Sequence, residues 1–234
     1  MSQVRLLSET LALANHILSG EEVVDGFGHV SARHPDRPDR FLMSQSVSPA
    51  LVTADDILEL TLDGEVVAGE DRKSYLERFI HAAVYAARPD VGSVVHNHSH
   101  DLIPYGVTGT PIRPLIHMAG ALGQVVPVWD IADKFGDTSL LVTNMDMGHD
   151  LAAALGGGSA VLMRGHGVTV AAGSVRDAVL LSIYLQVNAR LDLKARQLGE
   201  VRYLSEGEVV LSRDALLGPG PAARAWDFYA RKWG

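Results

Sequence analysis

The chain has 234 residues, no cysteine, ten histidines, and 28 acidic against 20 basic side chains, for a formal charge of −8. Without thiols, a disulfide-stapled scaffold and a cysteine-ligated zinc ribbon or finger are both excluded. A general nucleic-acid binder is disfavoured as well, because there is no surplus of cations to displace counterions from phosphates.

The hydrophobic fraction of 47% suits a single large domain over residues 1–234 with a sizeable core. No apolar run approaches the roughly 20 residues needed to span a bilayer. The first residues mix Arg5, Glu9 and His16 into a helical pattern, unlike the basic start and apolar block of a secretory signal. The expectation is a cytoplasmic protein with no membrane partner.

Val4, Leu7, Leu11, Ala14 and Leu18 recur at helical steps and predict an amphipathic helix ending near Gly20. Asp25 to Met43 then reads as strand, Pro-rich turn and strand, and Ile57 to Leu62 as a strand that turns at Asp63-Gly64 into Glu65-Val66-Val67. A helix is predicted from Tyr75 to Arg88, stopping before Pro89, and a strand from Ser93 to His98. The middle, Asp101 to Phe135, reads as loop with a short helix near Met118 to Leu122, followed by a helix at Gly148 to Leu155. Strands at Ala160 to Met163 and Val168 to Ala171 flank Gly165-His166-Gly167. The longest helix carries Val175, Val179, Ile183, Val187 and Leu191 at four-residue steps. At the C-terminus, Ala225, Trp226, Phe228, Tyr229 and Trp233 form an aromatic helical segment, either a packing face or a cover over a neighbouring subunit's pocket.

The main chemical signal is His96-Asn97-His98. Residues two apart on a strand project from the same face, about 6–7 Å apart, so two imidazoles can share one metal. His166 lies between two glycines at a turn, where its ring is free to project. Each piece alone is equally compatible with an ordinary structural histidine. Together they supply the three neutral imidazoles of an open catalytic metal site. Glu77 precedes the histidine strand, and Ser74-Tyr75-Leu76-Glu77 also fits a capping box in which the carboxylate only returns to the Ser74 amide.

Glu77, His81, His96, His98 and the later Arg164-Gly165-His166-Gly167-Val168 resemble the class II aldolase/adducin family, in consistent order from about Leu6 to Tyr203. The resemblance includes Gly28-His29-Val30-Ser31-Ala32-Arg33, where the family has Gly-Asn-x-Ser-x-Arg. It implies an α/β fold, a three-layer α/β/α sandwich on a mainly antiparallel sheet, commonly assembled as a homotetramer with sites at subunit boundaries. It further implies one divalent metal ion, Zn2+ or Mn2+, on His96, His98 and His166, with Glu77 as the adjacent acid/base.

Three departures from the family's sugar-phosphate aldolases bear on substrate. His29 replaces the Asn, Ser44-Gln45-Ser46-Val47 replaces a Thr-Gly turn, and Tyr75-Leu76 replaces a Ser-Ser pair, so phosphate is not the expected ligand. The chain instead resembles the decarboxylase branch, which acts on hydroxylated aromatic or pyridine dicarboxylates or on carboxymuconic semialdehydes. Two alternatives stand beside that reading: a retro-aldol lyase on a non-phosphorylated hydroxy-acid or sugar, and a non-catalytic adducin-like module.

On the lead reading, Glu77 or His117 donates the proton that replaces the lost carboxylate, although His117 equally suits a backbone-bonded loop residue. Candidate substrate contacts are His29, Ser31, Arg33, Ser46, Arg164 and Tyr184. Each has a plain alternative: His29 holding the glycine-rich turn, the two serines in local turn bonds, Arg33 pairing with a nearby Asp, Arg164 merely backing the site, and Tyr184 packing in the core. His81 reads as a packing residue or one that supports the site from behind. His16, His34, His100 and His149 read as structural or surface residues.

Overall fold

The computed structural model describes residues 2–67 and 71–234. Its centre is a seven-stranded sheet in the order β3-β2-β1-β4-β7-β6-β5. The strands are β1 (His29–Arg33), β2 (Arg40–Ser44), β3 (Ile57–Thr61), β4 (Ser93–Asn97), β5 (Val128–Trp129), β6 (Ala160–Met163) and β7 (Gly167–Ala172). All neighbours run antiparallel except β5 and β6.

Alternation along the strands feeds two cores, because successive side chains on a strand point to opposite faces. On one face Val30, Ala32, Leu42, Val95, Val168 and Val170 pack beneath α1 (Gln3–Gly20), α6 (Val175–Leu198) and α8 (Pro219–Trp233). On the other, Phe41, Met43, Val94, Val161 and Met163 pack beneath α2 (Arg78–Ala87) and α5 (Met145–Leu155). The result is the expected three-layer α/β/α arrangement. The remaining helices are α3 (Ile103–Thr108), α4 (Ala132–Phe135) and α7 (Glu206–Leu216), with a 3-10 turn at His117–Leu122. No described helix is long and apolar enough to cross a membrane.

Several sequence expectations need adjustment. The helix expected from Tyr75 begins at Arg78, and the Ser74–Glu77 capping box does not form: Glu77 makes no cap bond, while the Ser74 hydroxyl is buried without a partner. Among the described residues, the arm after Asp63-Gly64 pairs with β3 through a single Leu60–Val66 bridge and forms no named strand. The α6 stripe also outruns the core, with Leu191 37% exposed at its far end.

The middle of the sheet closes on a glycine. At Gly167, the first residue of β7, a Cβ would lie 2.2 Å from the Asn97 carbonyl oxygen, closer than any side chain tolerates. That contact brings the end of β4 against the start of β7, and it forbids any larger residue there. Gly167→Ala must push these strands apart and is expected to cost about 2–4 kcal/mol, read as a lowered urea midpoint at unchanged m-value.

Candidate active site

His96 stands on β4 opposite His29 of β1, and both rings face the α2 layer together with Ser31. His98 follows one residue past the end of β4, where the chain is free to turn its ring sideways. His166 sits in the turn between β6 and β7, whose tightness is set by Gly165 at φ 66°. Three separate backbone positions thereby aim imidazoles at one point.

The Nε2 atoms of His96 and His98 are 3.0 Å apart, and those of His98 and His166 are 3.1 Å apart. Glu77 completes the group, with Oε2 3.6 Å from Nε2 of His96 and 3.4 Å from Nε2 of His166. All four ligand atoms lie within 4.8 Å of one another. The carboxylate is fixed from behind because the Val142 N–H donates to Oε1 at 2.9 Å. Oε2 is thereby left facing the histidines.

This donor set fits a divalent metal. Nitrogen ligands about 2.0–2.1 Å from one ion, at right angles to tetrahedral angles, lie roughly 2.9–3.4 Å apart, which brackets the separations here. Without a cation, the single N–H or lone pair on Nε2 of His98 can serve only one of its two close neighbours well, so one of these contacts lacks a proper hydrogen bond. Burial is the chief cause that holds the pKa of His96 well below the ordinary value, followed by the crowding of His166, His29 and His98. His98 is lowered too, first by burial and then by His166. Both rings are thus kept in the neutral form that a metal requires.

A cleft of about 370 Å³ opens over this cluster, lined among others by Phe27, His29, Ser46, Tyr75, Leu76 and Glu77. Tyr75 donates to the Val47 carbonyl at 2.5 Å, and its ring centroid lies 4.7 Å from that of His29. Phe27 is 72% exposed at the rim, with its ring 6.4 Å from His98. A walled, largely apolar cleft with a few polar groups at its floor suits a flat organic acid.

The structure brings Glu77, His96, His98, His166, His29 and Ser46 together at this cleft. It takes five other candidates elsewhere. The Arg33 guanidinium donates to the backbone carbonyls of Pro38, Tyr85, Arg88 and Val91, so it staples the loops behind the sheet instead of reaching a carboxylate. Arg164 is paired with Asp130. His117 is exposed and shares a separate cavity with Tyr184, Phe228 and Tyr229 on the α8 side. Ser31 has no exposure and bonds His81 and Tyr85. Its hydroxyl is therefore spent inside the protein.

Residues missed from sequence are the cleft walls Phe27 and Tyr75, together with Val47 and Leu141. The signal for Tyr75 was its adjacency to Glu77, which draws it into any site the carboxylate serves. His81 supports the site from behind: its Nδ1 lies 2.6 Å from Ser31 Oγ and its Nε2 2.7 Å from Nδ1 of His29.

With that geometry in place, comparison with known proteins gives its lineage. The class II aldolase and adducin N-terminal domain matches residues 9–193, so the chain belongs to this family. It is 37% identical to decarboxylase tropJ of Talaromyces stipitatus over 82% of this chain and 77% of the relative. It is 32% identical to the 3,4-dihydroxyphthalate decarboxylase of Arthrobacter keyseri, over 82% of this chain and 79% of that one. An aldolase II superfamily protein from Pseudomonas syringae shares the fold with a TM-score of 0.82 at 22% identity, covering 100% of this chain and 94% of its own.

Two measurements test this site. Metal analysis of the purified protein should find about one divalent ion per chain, with His96→Ala and His166→Ala each losing most of it. The second uses acid. Burial lowers the His81 pKa from 6.5 to about 3, so between those values the unfolded chain binds a proton that the native state refuses. Stability from this group is complete above pH 6.5 and is lost as pH falls toward 3. Its slope reaches about 1.4 kcal/mol per pH unit. His81→Gln should flatten the stability profile through that window in urea titrations.

Proposed function

We propose that this protein is a metal-dependent decarboxylase of a hydroxylated aromatic or heteroaromatic carboxylate, working with zinc or manganese as a cytoplasmic homo-oligomer. It is a carbon–carbon lyase of the carboxy-lyase class, as the decarboxylases among its relatives support. The observation that carries the reading is the convergence of three imidazole Nε2 atoms and the Glu77 carboxylate at the floor of a cleft walled by Phe27, Tyr75 and Leu76. The dihydroxyphthalate acted on by several relatives supports an ortho-hydroxy carboxylate as the substrate type.

A divalent ion on His96, His98 and His166 would supply a Lewis acid to stabilise negative charge on an oxygen conjugated to the carbon losing its carboxylate. The chain's own groups do the rest. Phe27, Tyr75 and Leu76 bound the cleft, sandwich a flat ring and limit water at the carbon to be protonated. Glu77 moves the proton at Oε2, because Oε1 is already occupied by the Val142 N–H. Leu76 also argues against a phosphorylated substrate: it lines the cleft and cannot donate a hydrogen bond.

With Arg33 and Arg164 engaged elsewhere, attraction of an anion rests on the metal centre and on neutral donors lining the cleft, chiefly His29 and Ser46. Ser46 has its backbone N–H bonded to the Lys73 carbonyl, which holds it at the rim of the cleft.

The metal-loaded protein, offered a panel of ortho-hydroxy aromatic mono- and dicarboxylates, should release carbon dioxide. Glu77→Gln should lower kcat by about 10²–10⁴-fold, with the bound metal retained. Aldehyde release from a non-phosphorylated hydroxy-acid, with no carbon dioxide from the panel, would replace this reading with retro-aldol cleavage.

A further inference from the structure

His29 is the cleft end of a buried polar chain whose other members take no part in the scheme above. From the cleft inward, His29 Nδ1 lies 2.7 Å from His81 Nε2, His81 Nδ1 lies 2.6 Å from Ser31 Oγ, and Ser31 Oγ lies 2.8 Å from the Tyr85 hydroxyl. His29 is 4% exposed, Tyr85 1%, and Ser31 and His81 not at all. Four polar groups are thus joined by three contacts, each of which needs one shared hydrogen.

The hydrogens can run in three orders. Both rings are buried and neither is hydrogen-bonded to a carboxylate among the described residues, so each is neutral and carries one N–H, and serine and tyrosine carry one O–H each. If His29 donates to His81, then His81 donates to Ser31, and the last contact carries either the Ser31 or the Tyr85 hydrogen, never both. The other hydroxyl hydrogen is then left over, since neither hydroxyl has a further side-chain or backbone acceptor among the described residues. The phenol is flanked by the Arg33 guanidinium, 4.9 Å from its ring centroid, and by the Phe41 ring, neither of which offers a lone pair. An unpaired buried hydroxyl hydrogen is costly.

The opposite order leaves none. Tyr85 donates to Ser31, Ser31 to His81 Nδ1, and the Nε2–H of His81 to His29 Nδ1. With its Nδ1 accepting, His29 must carry its own hydrogen on Nε2, the nitrogen outside this chain.

We propose that His81, oriented by Ser31 and Tyr85, is a positioning residue that locks His29 as the Nε2–H tautomer, so that His29 offers a neutral N–H donor to an anionic oxygen of the substrate. The substrate part of this rests on the decarboxylase reading; the tautomer does not. It also gives a reason for His29 on this strand: a carboxylate or phenolate oxygen beside the metal centre needs a donor, and the buried chain prevents the ring from presenting a lone pair instead.

Protein labelled with 15N in histidine, in two-bond proton–nitrogen correlation spectra, decides the matter without substrate. His29 should show a protonated Nε2 and an unprotonated Nδ1, with the ring assigned by its loss in His29→Asn. His81→Phe should convert His29 to a mixture of tautomers and lower kcat by about tenfold or more with a smaller change in KM. His81→Gln, which keeps a donor at similar reach, should restore both. Ser31→Ala removes one hydroxyl with little change in volume and should also mix the tautomers, which guards against misfolding of the Phe variant.

A wild-type His29 protonated at Nδ1 overturns the proposal, as does an unchanged tautomer in both His81→Phe and Ser31→Ala. Should the wild type release no carbon dioxide from any hydroxy-carboxylate, the function reading fails, while the spectra still settle the tautomer.

Discussion

The close approach of Gly167 to the Asn97 carbonyl, which leaves no room for a Cβ, is the constraint on which this site depends. It draws β7 against the end of β4, and that register places the His166 turn beside the residue following β4. His96, on β4 itself, then faces the same point as His98, although the two rings leave the backbone under different rules. One obeys the strand's alternation, whereas the other lies just beyond it. Close approach of backbone to backbone is therefore what turns three distant histidines into one donor set.

Burial enforces the chemistry of that set. A ring with no water around it resists protonation, and His96, His29 and His81 are all held neutral chiefly for this reason. The same burial makes each polar contact accountable, since an unpaired donor cannot be rescued by solvent. The net charge of −8 gives an anion no help: the two arginines flanking the motifs are committed to Asp130 and to backbone carbonyls.

Much of this was legible in the sequence. The helices α1 and α6 and the central strands announced themselves by apolar periodicity, and the histidine positions by spacing and family resemblance. What escaped did so for physical reasons. β5 has two residues and α4 has four, too few for any period to register. Ser74-x-x-Glu77 carries the letters of a helix cap, but the carboxylate is better satisfied by the Val142 amide, 65 residues away in sequence, which no local pattern encodes. Arg33 was ambiguous because an arginine fork accepts carboxylates and carbonyls alike, and only the fold supplies four carbonyls in one place.

The pairing of β4 with β7 has a kinetic side. Joining His96 to Thr169 closes a loop of about 70 residues, and such closure is slow because chain entropy is surrendered before the contacts that reward it exist. Glu77 waits on Val142 in the same way. No local fragment of this chain contains a working donor set, so the site emerges only with completion of the sheet, and a nascent or partly unfolded chain presents scattered histidines instead of a metal trap.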